Sequence, residues 1–157
     1  MSSAKWVVTT IDLTDIKKGY KDALNRLFTY INGANNQGDK MNLTVPFIKK
    51  WFLNDKYQVE SAQMAIYISS KFQANPPTPT DDLLTVETWA DAITYDRAFG
   101  ADRYDPGYYG KQFKYLWRAL AKGDIKPYPK MAITAGYTNP GHGRQRTEVM
   151  LVDNSSM

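Results

Sequence analysis

Residues 56–73, KYQVESAQMAIYISSKFQ, decide how the chain is to be read. Val59, Ala62, Ile66 and Ser69 recur at three- and four-residue intervals, the spacing of one helix face. Tyr67, Ile68 and Phe72 widen that stripe. The spacing predicts a helix over about 56–73, and a stripe this broad puts that helix at the centre of the fold. Asn54-Asp55 supplies the polar restart in front of it.

Toward the N-terminus, Thr44-Val45-Pro46 reads as a cap followed by proline in the first turn, opening a short helix through Phe47, Ile48, Trp51 and Phe52. Thr14 is the expected cap of a helix over 15–32, with Ile16, Tyr20, Ala23, Leu27 and Ile31 along one side and Gly33 as its stop. Lys5–Ile11 is β-branched and aromatic, so residues 1–13 form an extended arm. Toward the C-terminus, three prolines bar residues 74–80 from a helix and make them a surface connection. A fourth helix is expected over 82–98, through Val86, Trp89, Ala90 and Ile93, ending at Gly100. Asp105-Pro106 caps and opens a fifth, closed near 122 by Gly123. The tail, 124–157, holds two β-prone pieces, Met131–Thr134 and Thr147–Val152, around turn chemistry at 138–143. The expected fold is mainly α: a single five-helix domain over 1–157 with short extended segments at both termini and no internal repeat.

Composition bounds the function. With 43% hydrophobic and 23% charged residues, the 157-residue chain is globular. It has no run of apolar residues long enough to span a membrane, and its first residues lack the apolar core of a secretion signal. Cysteine is absent, which removes disulfides, thiolate metal sites and cysteine nucleophiles together. The sequons at Asn42 and Asn154 read as chance, and the expected location is the cytoplasm or a virion assembled there. The net charge of +4 is segregated: +4 over residues 1–80, −5 over 81–105 and +5 over 106–157. Such blocks pair inside one molecule, between copies, or with a polyanion.

The fifth helix carries the sharpest signal. Tyr109, Phe113, Leu116 and Leu120 make a narrow apolar stripe, while Lys111, Lys114, Tyr115, Arg118 and Lys122 cover the opposite side. No acidic residue falls between Pro106 and Gly123, so the Glu–Lys interleaving of an ordinary solvated face is missing. Arginine can grip a phosphate bidentately, lysines add point charge and tyrosine offers a stacking surface. These five residues are the candidate nucleic-acid-binding set; the plainer reading is an exposed basic helix facing the acidic 81–105 block. Eleven tyrosines also offer a protein-binding surface.

Catalytic chemistry finds little footing. The lone histidine, His142, lies between glycines without a second ligand. Glu87, Asp91 and Asp96 could converge for acid–base work, yet arginines stand close by in sequence. The expectation is therefore a non-enzymatic structural protein without cofactor or metal. It would self-assemble, possibly into filaments, and package nucleic acid, single-stranded RNA slightly favoured, as coat proteins of filamentous viruses do. A cytoplasmic adaptor using the tyrosine-rich surface is the alternative, and no membrane partner is expected.

Overall fold

The computed structural model describes residues 3–100, 106–137 and 146–157. Its elements are β1 (Ser3–Ile11), α1 (Ile16–Ile31), β2 (Phe47–Leu53), β3 (Val59–Tyr67), β4 (Thr85–Ala90), β5 (Thr94–Gly100), α2 (Pro106–Ala121), β6 (Pro127–Gly136) and β7 (Arg146–Asp153). The strands form one sheet in the order β4-β1-β3-β2-β6-β7-β5, and each neighbouring pair is antiparallel. The first and fifth expected helices stand as α1 and α2, and the β-prone ends stand as strands. The mainly α, five-helix expectation is otherwise overturned, because the three middle helices are β2, β3, β4 and β5.

The error has a physical cause. Ala62 and Ile66 are four residues apart, a spacing that satisfies a helix face and one side of a strand alike. Met64 lies between them on the same side of β3, buried with both, which only the two-residue period allows. The intervening Ala65 is buried too, on the opposite face, so the polar alternation that marks a half-exposed strand is lost. In β2 the disguise is a charge: Phe47, Lys49, Trp51 and Leu53 are all buried, and a lysine in that series hides the alternation. Thr44 caps no helix; its Oγ1 donates to the carbonyl of Tyr67 at 2.7 Å. Asp15, one residue after the expected Thr14, caps α1 by accepting from the amide of Lys18.

The chain folds as two β-α-β-β halves. β1, α1, β2 and β3 give the order β1-β3-β2; β5, α2, β6 and β7 give β5-β7-β6; β2 and β6 join them, with β4 added outside β1. β4 and β5 are therefore opposite edges of the sheet, yet only residues 91–93 connect them. A flat sheet would hold these edges about 29 Å apart at about 4.8 Å per step. The connection reaches about 14 Å at full extension. The sheet must curl. Lys50 of β2 shows the curl directly, its Nζ lying 3.4 Å from the ring centroid of Trp89 on β4, across the two intervening strands.

Both helices cover one face of this sheet. α1 and α2 bury Tyr20, Leu27, Tyr30, Tyr109, Phe113 and Leu116 against Val7, Ile66, Trp51, Ala132, Val149 and Leu151. The other face holds a smaller layer in which Val8, Ile48, Ala65, Ala135 and Val152 are buried. There Trp6 stacks on Trp89 at 4.9 Å. Burial pushes the Lys50 ammonium pKa down, opposed by nearby Glu87. The proline-rich stretch is strapped over the end of α1: Tyr30 Oη donates to the Pro77 carbonyl at 2.8 Å, and the Thr78 amide donates to Asn36 Oδ1 at 2.9 Å.

The chain ends are not free arms. β1 lies between β3 and β4, and β7 between β6 and β5, so each is already paired on both sides. Self-assembly through exposed terminal edges loses its basis.

Two substitutions test this packing. Gly19 sits inside α1, where alanine is ordinarily better by about 1 kcal/mol. A Cβ there would stand 2.1 Å from the Asp12 carbonyl oxygen, a backbone atom that cannot rotate away. Gly19→Ala is expected to lower stability by about 1–3 kcal/mol, the usual range for overpacking, in a denaturant melt. Burial pushes the Tyr30 phenol from 10.0 up to about 12. The fold favours the protonated phenol, so this contribution is whole below pH 10 and is lost as pH rises toward 12. Tyr30→Phe should cost about 1 kcal/mol at neutral pH through the lost hydrogen bond, and should flatten the alkaline limb of the stability profile.

Candidate functional site

α2 begins with Pro106 at its first position, where a missing amide does no harm. The expected cap, Asp105, lies outside the described residues. The helix ends as the amide of Ile125 returns to the Leu120 carbonyl at 3.1 Å. Asp124, not Gly123, takes the left-handed backbone there, at φ 56°. Tyr109, Phe113 and Leu116 are buried and Leu120 half-buried, as the apolar stripe predicted.

Lys111, Lys114, Tyr115, Arg118 and Lys122 are all exposed. They do not act as one surface. Lys111, Lys114 and Arg118 edge a cleft between α2 and the turn joining β2 to β3. Tyr115 lies outside this cleft, under the Arg97 guanidinium, 5.8 Å from its ring centroid. Lys122 follows the end of α2, also outside it.

The cleft comprises two adjoining hollows. One, of about 170 Å³, has Leu53, Phe113, Trp117 and Leu151 as its apolar floor, with Lys114 and Arg118 above. The other, of about 400 Å³, runs over Val59, Gly107 and Gly110 beside Lys111. Tyr57 and Lys114 border both. The Tyr57 ring meets Trp117 at 5.0 Å between centroids, tilted by 47°.

Tyr57 is held unusually. Its φ is 59°, the left-handed region that a bulky L-residue enters at a cost of about 1–2 kcal/mol. The turn is tied to keep it there. Asn54 Oδ1 accepts from the amides of Lys56 at 2.9 Å and Gln58 at 3.0 Å. The amide of Asn54 donates to the Gln58 carbonyl, and that of Tyr57 to the Asn54 carbonyl, both at 2.9 Å. Lys130 of β6 pairs with Asp55 in the same turn; hydrogen bonding between them holds the carboxyl below, and the ammonium above, its ordinary range.

Chemically the cleft offers apolar walls, the two touching rings of Tyr57 and Trp117, and three cations along one side. That combination suits a flat, apolar molecule carrying carboxylates, and it does not resemble the extended groove a nucleic-acid strand needs. Among the described residues no group of three His, Cys, Asp or Glu could hold a bare metal ion. His142 lies outside the described residues. Glu87 is engaged by the Trp89 indole, whose Nε1 donates to it at 2.8 Å, and Asp96 is exposed on β5.

Comparison with known proteins decides the family. The family model described as SOUL heme-binding protein matches residues 1–152. The chain belongs to the SOUL heme-binding protein family. It is 29% identical over 153 residues to heme-binding protein 1 of Bos taurus, covering 93% of this chain and 78% of that protein. Heme-binding protein 1 of Xenopus laevis is 26% identical over 154 residues, covering 96% and 80%. Heme-binding protein 2 of Homo sapiens is 24% identical over 141 residues, covering 87% and 67%.

SOUL membership overturns the coat-protein expectation, with its virion location, its filament of copies and its RNA cargo, and the adaptor alternative with it. The cations of α2 are exposed, and the RNA cargo expected of them is the part that SOUL membership overturns. No helix of the described residues is long and apolar enough to cross a membrane. Tyr57 and Trp117 escaped the sequence reading. Asn54-Asp55, taken as a helix restart, was the available sign of a turn.

Proposed function

We propose that this chain binds heme, and that it does so in the cleft between α2 and the turn at 54–58. The observation that carries the reading is the pairing of an aromatic, apolar wall with Lys111, Lys114 and Arg118 on one side, in a SOUL-family chain. The residues present fit the molecule. A porphyrin ring needs flat apolar contact, which Trp117, Phe113 and Tyr57 supply. Its two propionates need cations at the rim, which the lysines and arginine supply. Bound heme would bring an iron centre; this chain's own residues bind the ring, orient its carboxylates and keep water from its apolar face. In this reading the protein is a binder without turnover.

One observation favours a second location for the same ligand. The two halves repeat, so α1 stands over the start of β2 and the end of β6 as α2 stands over the other ends. There Phe28 meets Phe47 edge-on at 6.0 Å, and the neighbouring Val45 and Tyr137 are 55% and 40% exposed. The Arg146 guanidinium stands over the Tyr137 ring there, 6.0 Å from its centroid.

Titration with iron(III) protoporphyrin IX, followed in the Soret band, tests both. Saturable binding with one site per chain is expected. Lys114→Glu with Arg118→Glu should weaken it about tenfold, or about 1.4 kcal/mol, without changing the melting temperature. Undiminished affinity in that variant, with loss in Phe28→Ala, would move the site to α1. Absence of saturable binding in the wild type contradicts the heme reading altogether.

A further inference from the structure

On the face of the sheet away from both helices, we propose that Lys50 is the attachment point for a flat, conjugated aldehyde, which its Nζ captures as an imine beside the Trp89 indole. Lys49 and Lys50 are consecutive on β2, so their side chains leave opposite faces of the sheet. Lys49 goes beneath the helices, toward Tyr20 and Tyr109. Lys50 goes to the far face, where the curl brings its Nζ to 3.4 Å from the Trp89 ring centroid. Val8, Ile48 and Ala65 are buried on that face. Lys50 itself is half-buried, between the half-buried Gln63 on β3 and Ile133 on β6. It is therefore partly stripped of water yet still reachable. Burial pushes its ammonium pKa down, against the pull of Glu87, so more of the amine is free at neutral pH than on an exposed lysine.

The indole beside that amine is held in place. Trp89 Nε1 donates to Glu87 Oε2 at 2.8 Å, and Trp6 stacks on the ring at 4.9 Å with 20° between the planes. Trp6 in turn meets Tyr67 edge-on at 5.5 Å. A cation serving only to cover an aromatic ring would be better as arginine, whose guanidinium stacks flat and never loses its proton. What lysine adds is an amine, and desolvation is what activates lysine amines for Schiff-base formation. With the ammonium proton gone to water, the Nζ lone pair bonds to the aldehyde carbon and the carbonyl oxygen takes one proton from the nitrogen. The second nitrogen proton leaves with that oxygen as water, and the carbon–nitrogen double bond forms. Nothing is oxidised or reduced, and the aldehyde is the co-reactant. Because the new carbon is held beside the indole, the rings favour a flat conjugated group over an aliphatic one.

The test treats the full-length protein with salicylaldehyde and cyanoborohydride, which fixes the imine as a secondary amine, and finds the labelled lysine by peptide mass mapping. Lys50 should be labelled about tenfold faster than the exposed lysines, the upper range of one aromatic contact. Its rate should saturate with salicylaldehyde, and should not saturate with propionaldehyde, which has no ring. Lys50→Arg keeps a cation over Trp89, so it should melt with the wild type and lose the fast phase. Trp89→Leu keeps the amine and should slow the labelling of Lys50 about tenfold. Should either variant melt early, the wild-type map and the propionaldehyde comparison decide alone. Labelling of Lys50 no faster than that of the exposed lysines overturns the proposal. So does a fast phase that survives in Lys50→Arg, because another amine is then the site. Equal saturation by propionaldehyde overturns the choice of a conjugated ligand. Heme enters none of these measurements, so their outcome is separate from that of the heme titration.

Discussion

Without the antiparallel pairing of Phe47–Phe52 against Met131–Gly136, the sheet would part into two β-α-β-β halves, each with one helix and three strands, the first carrying β4 as well on its outer edge. An isolated half would expose the inner edge of β2 or β6 and one side of its apolar face. Joining them makes one sheet, and both helices come to rest on the same side of it. The junction is where the demanding groups are buried. Trp51 Nε1 donates to Thr134 Oγ1 at 2.9 Å across the seam, satisfying an indole that is 2% exposed. Lys49 is 3% exposed, with its Nζ 4.8 Å from the ring centroid of Tyr20 on α1 and 5.3 Å from that of Tyr109 on α2. A cation so deeply buried needs close partners, and rings from both helices supply part of them. The helices are thereby tied to the seam, and α2 is set where its outer side faces the 54–58 turn.

The two helices were legible because each has one covered face and one wet face. Ile16, Tyr20, Ala23 and Leu27, or Tyr109, Phe113 and Leu116, repeat at helical spacing with polar residues opposite, and nothing competes with that reading. β1 and β7 were legible from β-branched composition alone. β2 and β3 were not, since residues on both of their faces are buried and the alternation that distinguishes strand from helix is lost. Ala65 and Ala135 are buried on the face away from the helices, Met64 and Ala132 on the face beneath them.

The binding cleft was half legible for a related reason. Lys111, Lys114 and Arg118 lie on one helix, so their common side follows from spacing alone. Tyr57 and Trp117 meet only because β2 and β3 hand the turn to α2 at a particular register, which no local pattern encodes. The same cations suit a phosphate backbone and a carboxylate-bearing ring equally well. What separates the two is the apolar floor between them, from Leu53 and Leu151 beside Phe113, contributed by three separate elements.

The central claim is one of place: a carboxylate-bearing ring bound between α2 and the 54–58 turn. Amide chemical-shift mapping of the full chain, with and without one equivalent of a diamagnetic zinc protoporphyrin, tests it most directly. The expected result is a cluster of perturbed amides at 54–59 and 107–118, with the indole signal of Trp117 among the most shifted. Perturbations gathered instead on the outer side of α1, around Phe28, Val45 and Tyr137, would contradict it.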